Sequence, residues 1–199
     1  MIKKRLFIAI NLPEQALSVI SRGLDETGKQ FHQQGLEFPP SESWRLTPQE
    51  SWHITVLFLD YQNEELLSNI TTAMALTAEQ FAPPAISLET ISYGPPDRPP
   101  KMLWVQSSVE TSRKLQEIRA TLENTLVDNG VNFKQEYKRF NAHITLARFT
   151  ETNPERLIPI TTTLKPTLGF EGMSLDLMES ELLRDGPRYT LLQSIPFQG

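Results

Sequence analysis

The tripeptide His-Ile-Thr occurs twice in this chain, as His53-Ile54-Thr55 and His143-Ile144-Thr145, although its 199 residues hold only three histidines. At average residue usage, Ile-Thr follows a given histidine roughly once in several hundred cases. The likeness continues beyond the tripeptide. Val56 and Leu146 are both apolar, and Phe58 and Arg148 stand at matching offsets. The motifs lie 90 residues apart (143 − 53), too far for a solenoid repeat and suited to a duplicated half-domain. Strand alternation then fixes the faces: His53 and Thr55 project together while Ile54 and Val56 project oppositely, and the second copy does the same. Each strand therefore has an apolar face for a core and a face carrying an imidazole and a hydroxyl. Such polar pairs need partners or a wet cleft.

Two such faces suit general acid–base chemistry on a phosphoryl centre. Histidine titrates near neutrality, so one imidazole can take a proton from an attacking water while the other gives one to the leaving oxygen. Threonine hydroxyls ~7 Å along each strand can donate to the non-bridging oxygens. One His-x-Thr strand alone reads most simply as packing around a hydrogen-bonded histidine. Its repetition reverses that balance, because packing gives no reason to duplicate both polar residues in register. No metal or cofactor is called for. There is no cysteine, which removes thiolate nucleophiles, disulfides and sulfur-ligated zinc, and only one further histidine remains to complete a zinc site. That residue, His32, sits beside Gln30, Gln33 and Gln34 and reads as solvent-exposed.

The net charge of −5 lacks the basic footprint of a protein that grips long nucleic acid. A nucleic-acid substrate would be a terminus or a small fragment held in a local pocket. No apolar run approaches the ~20 residues of a membrane span. The short apolar start before Asn11 and Pro13 reads as a first strand rather than a signal peptide, so a cytoplasmic monomer is expected.

Periodicity predicts strands over Arg5–Leu12, Trp52–Leu59, Ala85–Ser92, Met102–Gln106 and Ala142–Phe149. It predicts helices from Pro13 to near Gly28, over Glu64–Phe81 and over Glu110–Val127. Gln33–Glu50 reads as a long surface connection, and Glu151–Phe170 is ambiguous, with a possible helical turn after Pro154. Met173–Leu183 and Arg188–Ile195 form a hairpin through Asp185-Gly186. Mixed helices and hairpins make an α+β pattern rather than a βαβ series.

Taken together, the opening Arg5-Leu6-Phe7-Ile8-Ala9-Ile10, the segment Trp52–Leu59, Leu103-Trp104-Val105 after a proline-rich loop, His143–Arg148, and Met178–Leu182 with Gly186 and Tyr189 resemble the 2H phosphoesterase superfamily. The nearest likeness is to its RNA 2′,3′-cyclic phosphodiesterase branch, also called 2′-5′ RNA ligase-like or LigT-like. The resemblance implies a bilobal α+β fold, with two antiparallel sheets related by a pseudo-two-fold around a central cleft and helices outside. Residues 1–199 would form one catalytic domain of two lobes, each supplying one His-x-Thr strand (52–59 and 142–149). The implied activity is metal-independent opening of a 2′,3′-cyclic phosphate to a 2′-phosphate, with 2′-5′ ligation in some members. Small cyclic or 2′-5′-linked nucleotides are alternative substrates, and a catalytically silent nucleotide-binding module is the alternative of another class.

By the same resemblance His53 is the proton donor, His143 the proton acceptor, and Thr55, Thr145 and Arg148 bind substrate. The two motifs are nearly interchangeable, so the residues alone leave the two histidine roles open. The family often has proline where Ala142 stands and glycine where Asp60 stands. Arg148 lies five positions from His143, so a regular strand points it to the opposite face; it reaches the phosphate only if the strand ends, twists or bulges near Ala147. Phe58 meets the same objection and is read as core. Among aromatic side chains, Trp44 in its polar loop is the better candidate for a cleft rim, Trp104 reads as core, and Tyr189 is a stacking candidate.

Overall fold

The computed structural model describes residues 2–135, 140–150, 157–160, 162–183 and 186–199. Among these residues nine strands form two antiparallel sheets. The first has the order β3 (His53–Asn63), β1 (Lys3–Asn11), β8 (Ser174–Leu183), β9 (Gly186–Pro196). The second has the order β2 (Arg45–Leu46), β6 (His143–Arg148), β5 (Met102–Ser107), β4 (Ala85–Gly94), β7 (Thr162–Glu171). The α+β class and the antiparallel sheets agree with the sequence reading.

Among the described residues three α-helices cover the sheets. α1 (Glu14–Gln33) buries Ala16, Val19, Ile20, Gly23, Thr27 and Phe31, the three-and-four spacing of an amphipathic helix, and packs on β7. It runs past Gly28, where the sequence suggested an end, because Phe31 one turn further is fully buried. Gly23 lets the helix pack closely, since an added Cβ would stand 2.5 Å from a terminal methyl of Leu164 in β7, which would have to shift. α2 (Leu67–Ala78) starts after a 3₁₀ turn over Glu64–Leu66 and packs on α3 (Val109–Asp128). The Ser108 hydroxyl caps α3 by accepting the Thr111 N–H at 3.1 Å.

Two expectations along the chain need correction. The connection after α1 is not wholly irregular, because it contributes β2, the edge strand beside β6. Trp44, expected at a cleft rim, is buried at 5% exposure and stacks on Phe149 with centroids 4.3 Å apart, with Phe31 and Phe38 around it. Its polar sequence neighbours hid an aromatic cluster to which three distant segments contribute, Phe31 from α1, Tyr93 from β4 and Phe149 just after β6. The ambiguous stretch yields β7; its suggested helical turn after Pro154 lies outside the described residues, as does Asp185 of the last hairpin. No helix among the described residues is long and apolar enough to cross a membrane.

Candidate active site

β3 and β6 approach one another between the two sheets, with Cα atoms within 8 Å. Their burial runs the same course. From Trp52 to Asp60 and from Ala142 to Thr150, the nine residues alternate between core and cleft in an identical pattern. Both strands carry the same irregularity. In β3, Phe58 pairs with Phe7, Leu57 with Ile8 and Thr55 with Ala9, which leaves Val56 without a partner. In β6, Ala147 pairs with Leu103 and Thr145 with Trp104, which leaves Leu146, 90 residues on, in the same position.

One extra residue reverses every later side chain. Leu57 and Ala147 therefore turn into the core, and Phe58 and Arg148 turn onto the histidine face. The bulge that Arg148 requires is present. Phe58, read as core from the sequence, is instead 51% exposed. The bulged Leu146 keeps its carbonyl satisfied by the Thr47 N–H at 2.8 Å, so the short strand β2 supports the distortion from outside. β3 has a second shift beyond Phe58, and there Asp60 adopts φ 56°. That left-handed conformation suits glycine best, and this chain holds an aspartate there.

Each imidazole is held the same way. His53 Nδ1 donates to the Ser51 carbonyl at 2.8 Å, and His143 Nδ1 donates to the Asn141 carbonyl at 2.7 Å. A carbonyl only accepts, so both Nδ1 atoms carry hydrogen, and in the neutral ring Nε2 is left as a bare acceptor. The Thr55 hydroxyl donates to His53 Nε2 at 3.1 Å. The Thr145 hydroxyl has no hydrogen-bond partner among the described residues. Burial lowers the pKa of both imidazoles, to about 4 for His53 and below the usual value for His143; Arg148 pushes both down further, and His143 adds to the effect on His53. Arg148 therefore lies close enough to both imidazoles to act on each.

The rings beneath the histidines differ. His53 rests against Phe7, centroids 4.8 Å apart, and meets Tyr189 edge-on at 5.1 Å; Phe7 in turn touches Phe58 at 6.0 Å. His143 lies flat on the Trp104 indole, centroids 3.7 Å apart. Tyr189 thus contacts a histidine. Trp104 is buried as expected, but its ring supports His143, and sequence reasoning missed this role along with that of Phe7. Alternation within β5 would have found Trp104, since it is cross-strand from Thr145. Met102 Sδ accepts both Trp104 Nε1–H at 3.4 Å and an Arg148 Nη1–H at 3.2 Å, tying the indole to the guanidinium.

The indole lies where a side chain on Gly94 would be, so a Cβ there would collide with its six-membered ring. Gly94→Ala is expected to cost about 1–3 kcal/mol of stability through overpacking, read as a lower melting temperature. An unchanged melting temperature would show that the indole yields freely. His32, at the end of α1, is exposed, 3.9 Å from Glu37 and apart from the cleft set. Among the described residues no three histidine or carboxylate side chains gather as metal ligands.

The family model described as the 2′-5′ RNA ligase superfamily matches residues 37–183, a span holding both histidine strands. The chain is 29% identical, over 98% of its own length and 91% of the relative's, to the RNA 2′,3′-cyclic phosphodiesterase of Thermus thermophilus. The crystal structure of TT0787, from the same organism, superposes with a TM-score of 0.74 at 26% identity, covering 98% of each chain. The same fold appears in E. coli LigT complexed with 3′-AMP, at TM-score 0.69, 23% identity and full coverage of both chains.

Proposed function

The chain belongs to the 2′-5′ RNA ligase superfamily, and from that premise we propose that it is an RNA 2′,3′-cyclic phosphodiesterase that opens the cyclic phosphate to a 2′-phosphate without a metal ion. The observation that carries this reading is the pair of imidazoles, each fixed through Nδ1 to a backbone carbonyl two residues upstream, with Arg148 acting on both. In this reading residues 1–199 act as one catalytic unit, with one lobe supplying His53 and the other His143.

The cyclic phosphate carries one negative charge. Arg148 offsets that charge, and the hydroxyls of Thr55 and Thr145 donate to its non-bridging oxygens. His143 Nε2 takes a proton from water as the water oxygen bonds to phosphorus. The P–O3′ bond breaks, and His53 Nε2 delivers a proton to O3′. Protons balance: His143 ends charged and His53 neutral, and exchange with solvent resets them. The assignment of roles is supported by the rings beneath the histidines. His143 gains positive charge in the step, and the indole face beneath it favours a cation there. The Thr55 hydroxyl that occupies His53 Nε2 in the free protein turns to the phosphate when His53 is protonated.

The overall acidity favours an RNA end or a small nucleotide over extended RNA. Incubation of RNA ending in a 2′,3′-cyclic phosphate, with a chelator present, tests the reading. A 2′-phosphate product that phosphomonoesterase can remove is the expected result. A 3′-phosphate product, or a requirement for divalent metal, would overturn it. Thr145→Ala is expected to raise KM and lower kcat/KM by about tenfold, the worth of one hydrogen bond to a charged group; steady-state kinetics on the same substrate checks this.

A further inference from the structure

Strand β1 keeps its own alternation past both irregularities of its pairing with β3, since each extra residue belongs to β3. Lys3, Arg5, Phe7, Ala9 and Asn11 therefore share the histidine face, with Asn11 in register with His53 and Ala9 with Thr55. Arg5 and Lys3 stand ~14 Å and ~20 Å along the strand from the Thr55 row. The Arg5 guanidinium is fixed from below, where Nη1 donates to the buried Ser180 hydroxyl at 3.1 Å. Its one ion-pair partner among the described residues, the exposed Asp60 carboxylate, is 3.9 Å from Nε, beyond hydrogen-bonding distance, and Nη2 has no partner there. Lys3 is exposed and has no ion pair among the described residues. The opposite face of the sheet differs: Lys4 pairs with Glu179 at 2.8 Å, and Arg188 pairs with Glu181 at 2.7 Å.

In the step above O3′ departs toward His53, so the ribose lies against this sheet and the RNA chain leaves across it. At the Asn11 end of β1 the carboxamide nitrogen is committed to buried Asp176 at 2.8 Å, and the first turn of α1 already holds an acidic residue, Glu14. At the other end Tyr189 joins the site to the two cations. It is in register with Ser180, and its ring reaches back to Phe7 at 5.2 Å and to His53 at 5.1 Å. The ~7 Å between neighbouring side chains on one face of a strand is close to the phosphate repeat of an extended nucleic acid. A guanidinium with unused N–H groups, followed by a free ammonium, suits two successive phosphodiesters. We infer that the histidine face of β1 is the path of the RNA strand 5′ of the cyclic phosphate, with Arg5 and Lys3 holding its phosphodiesters, so that an oligonucleotide end is taken in preference to a mononucleotide; this rests on the phosphodiesterase reading above. Two cations make a short track, in keeping with the net charge of −5.

The test compares kcat/KM for uridine 2′,3′-cyclic phosphate with that for uridine di-, tri- and tetranucleotides ending in the same group. In the wild-type protein the tetranucleotide is expected to exceed the mononucleotide by about tenfold, through KM, as charge-assisted contacts to phosphate are gained. Its kcat/KM should also fall more steeply with salt, since each neutralised phosphate of a single strand adds about −0.7 to the logarithmic slope. Arg5→Gln should cost the tetranucleotide about fivefold more than it costs the mononucleotide, and Lys3→Gln about threefold more, each flattening the salt slope. Arg5→Lys keeps the charge and should lose less than Arg5→Gln. A tetranucleotide with uncharged methylphosphonate linkages upstream makes the same comparison in the unaltered protein, and it should lose the tenfold gain. Equal kcat/KM and equal salt slopes for mononucleotide and tetranucleotide would overturn the track, as would an undiminished methylphosphonate substrate or equal losses on both substrates in Arg5→Gln. Turnover of none of these substrates by the wild type is a different result and would overturn the phosphodiesterase reading itself, and the track with it.

Discussion

Replacing either His53 or His143 with alanine is expected to lower turnover of a 2′,3′-cyclic phosphate end by at least about 10²-fold, the usual contribution of a positioned acid or base. The fold should survive both changes. Each imidazole is half-buried at the cleft, and its one backbone bond goes to a carbonyl that water can satisfy instead. The double variant should be little worse than either single one, because the two groups act in one step. His143 needs a further control, since its ring also covers Trp104. His143→Phe restores the stacked ring without a proton acceptor, and it should be as inactive as His143→Ala. Recovery of activity in the phenylalanine variant would assign His143 to packing. Wild-type hydrolysis by either alanine variant would remove the two-histidine mechanism.

How much of this site could be read from the sequence depends on which property places each residue. His53, Thr55, His143 and Thr145 follow from alternation within a single strand, a local property that the sequence displays directly. Arg148 and Phe58 depend on bulges at Leu146 and Val56, and a bulge is a property of pairing between strands. Reading one strand alone gave only the condition that a bulge must exist. It misplaced Phe58, because a phenylalanine after Val56-Leu57 looks like core. Trp44 is hidden for a related reason: its aromatic partners come from α1, the connection after it, β4 and the residue after β6, none of them near in sequence except Phe38. Trp104 was placed in the core correctly, while its contact with His143 depended on the vacant side of Gly94.

The pH dependence carries the mechanism furthest, because the protonation states of two imidazoles must differ at the moment of reaction. In the free protein His53 titrates near 4 and His143 below 6.5, both lowered first by burial and then by Arg148. The reactive species holds one proton between the two Nε2 atoms. Above the higher of the pair's two titrations that species declines tenfold per pH unit, and below the lower one both rings are charged. kcat/KM, which reports the free enzyme, is therefore expected to peak below pH 6.5 and to have fallen by at least about 100-fold at pH 8.5. The bound phosphate anion favours the charged imidazole, so the peak in kcat should lie at higher pH than the peak in kcat/KM. Arg148→Ala removes a charge that lowers both rings, and should move the kcat/KM profile toward alkaline pH while weakening binding. Stability runs in the opposite sense on the acid side. Between pH 6.5 and 4 the unfolded chain binds a proton at His53 that the folded chain does not, so folding weakens as pH falls through that window, by on the order of 3 kcal/mol for a shift of this size. Initial rates paired with near-UV circular dichroism at each pH separate loss of fold from loss of the reactive species. A kcat/KM that is flat from pH 5 to 9, or that peaks above pH 7.5, would be incompatible with two depressed imidazoles sharing one proton.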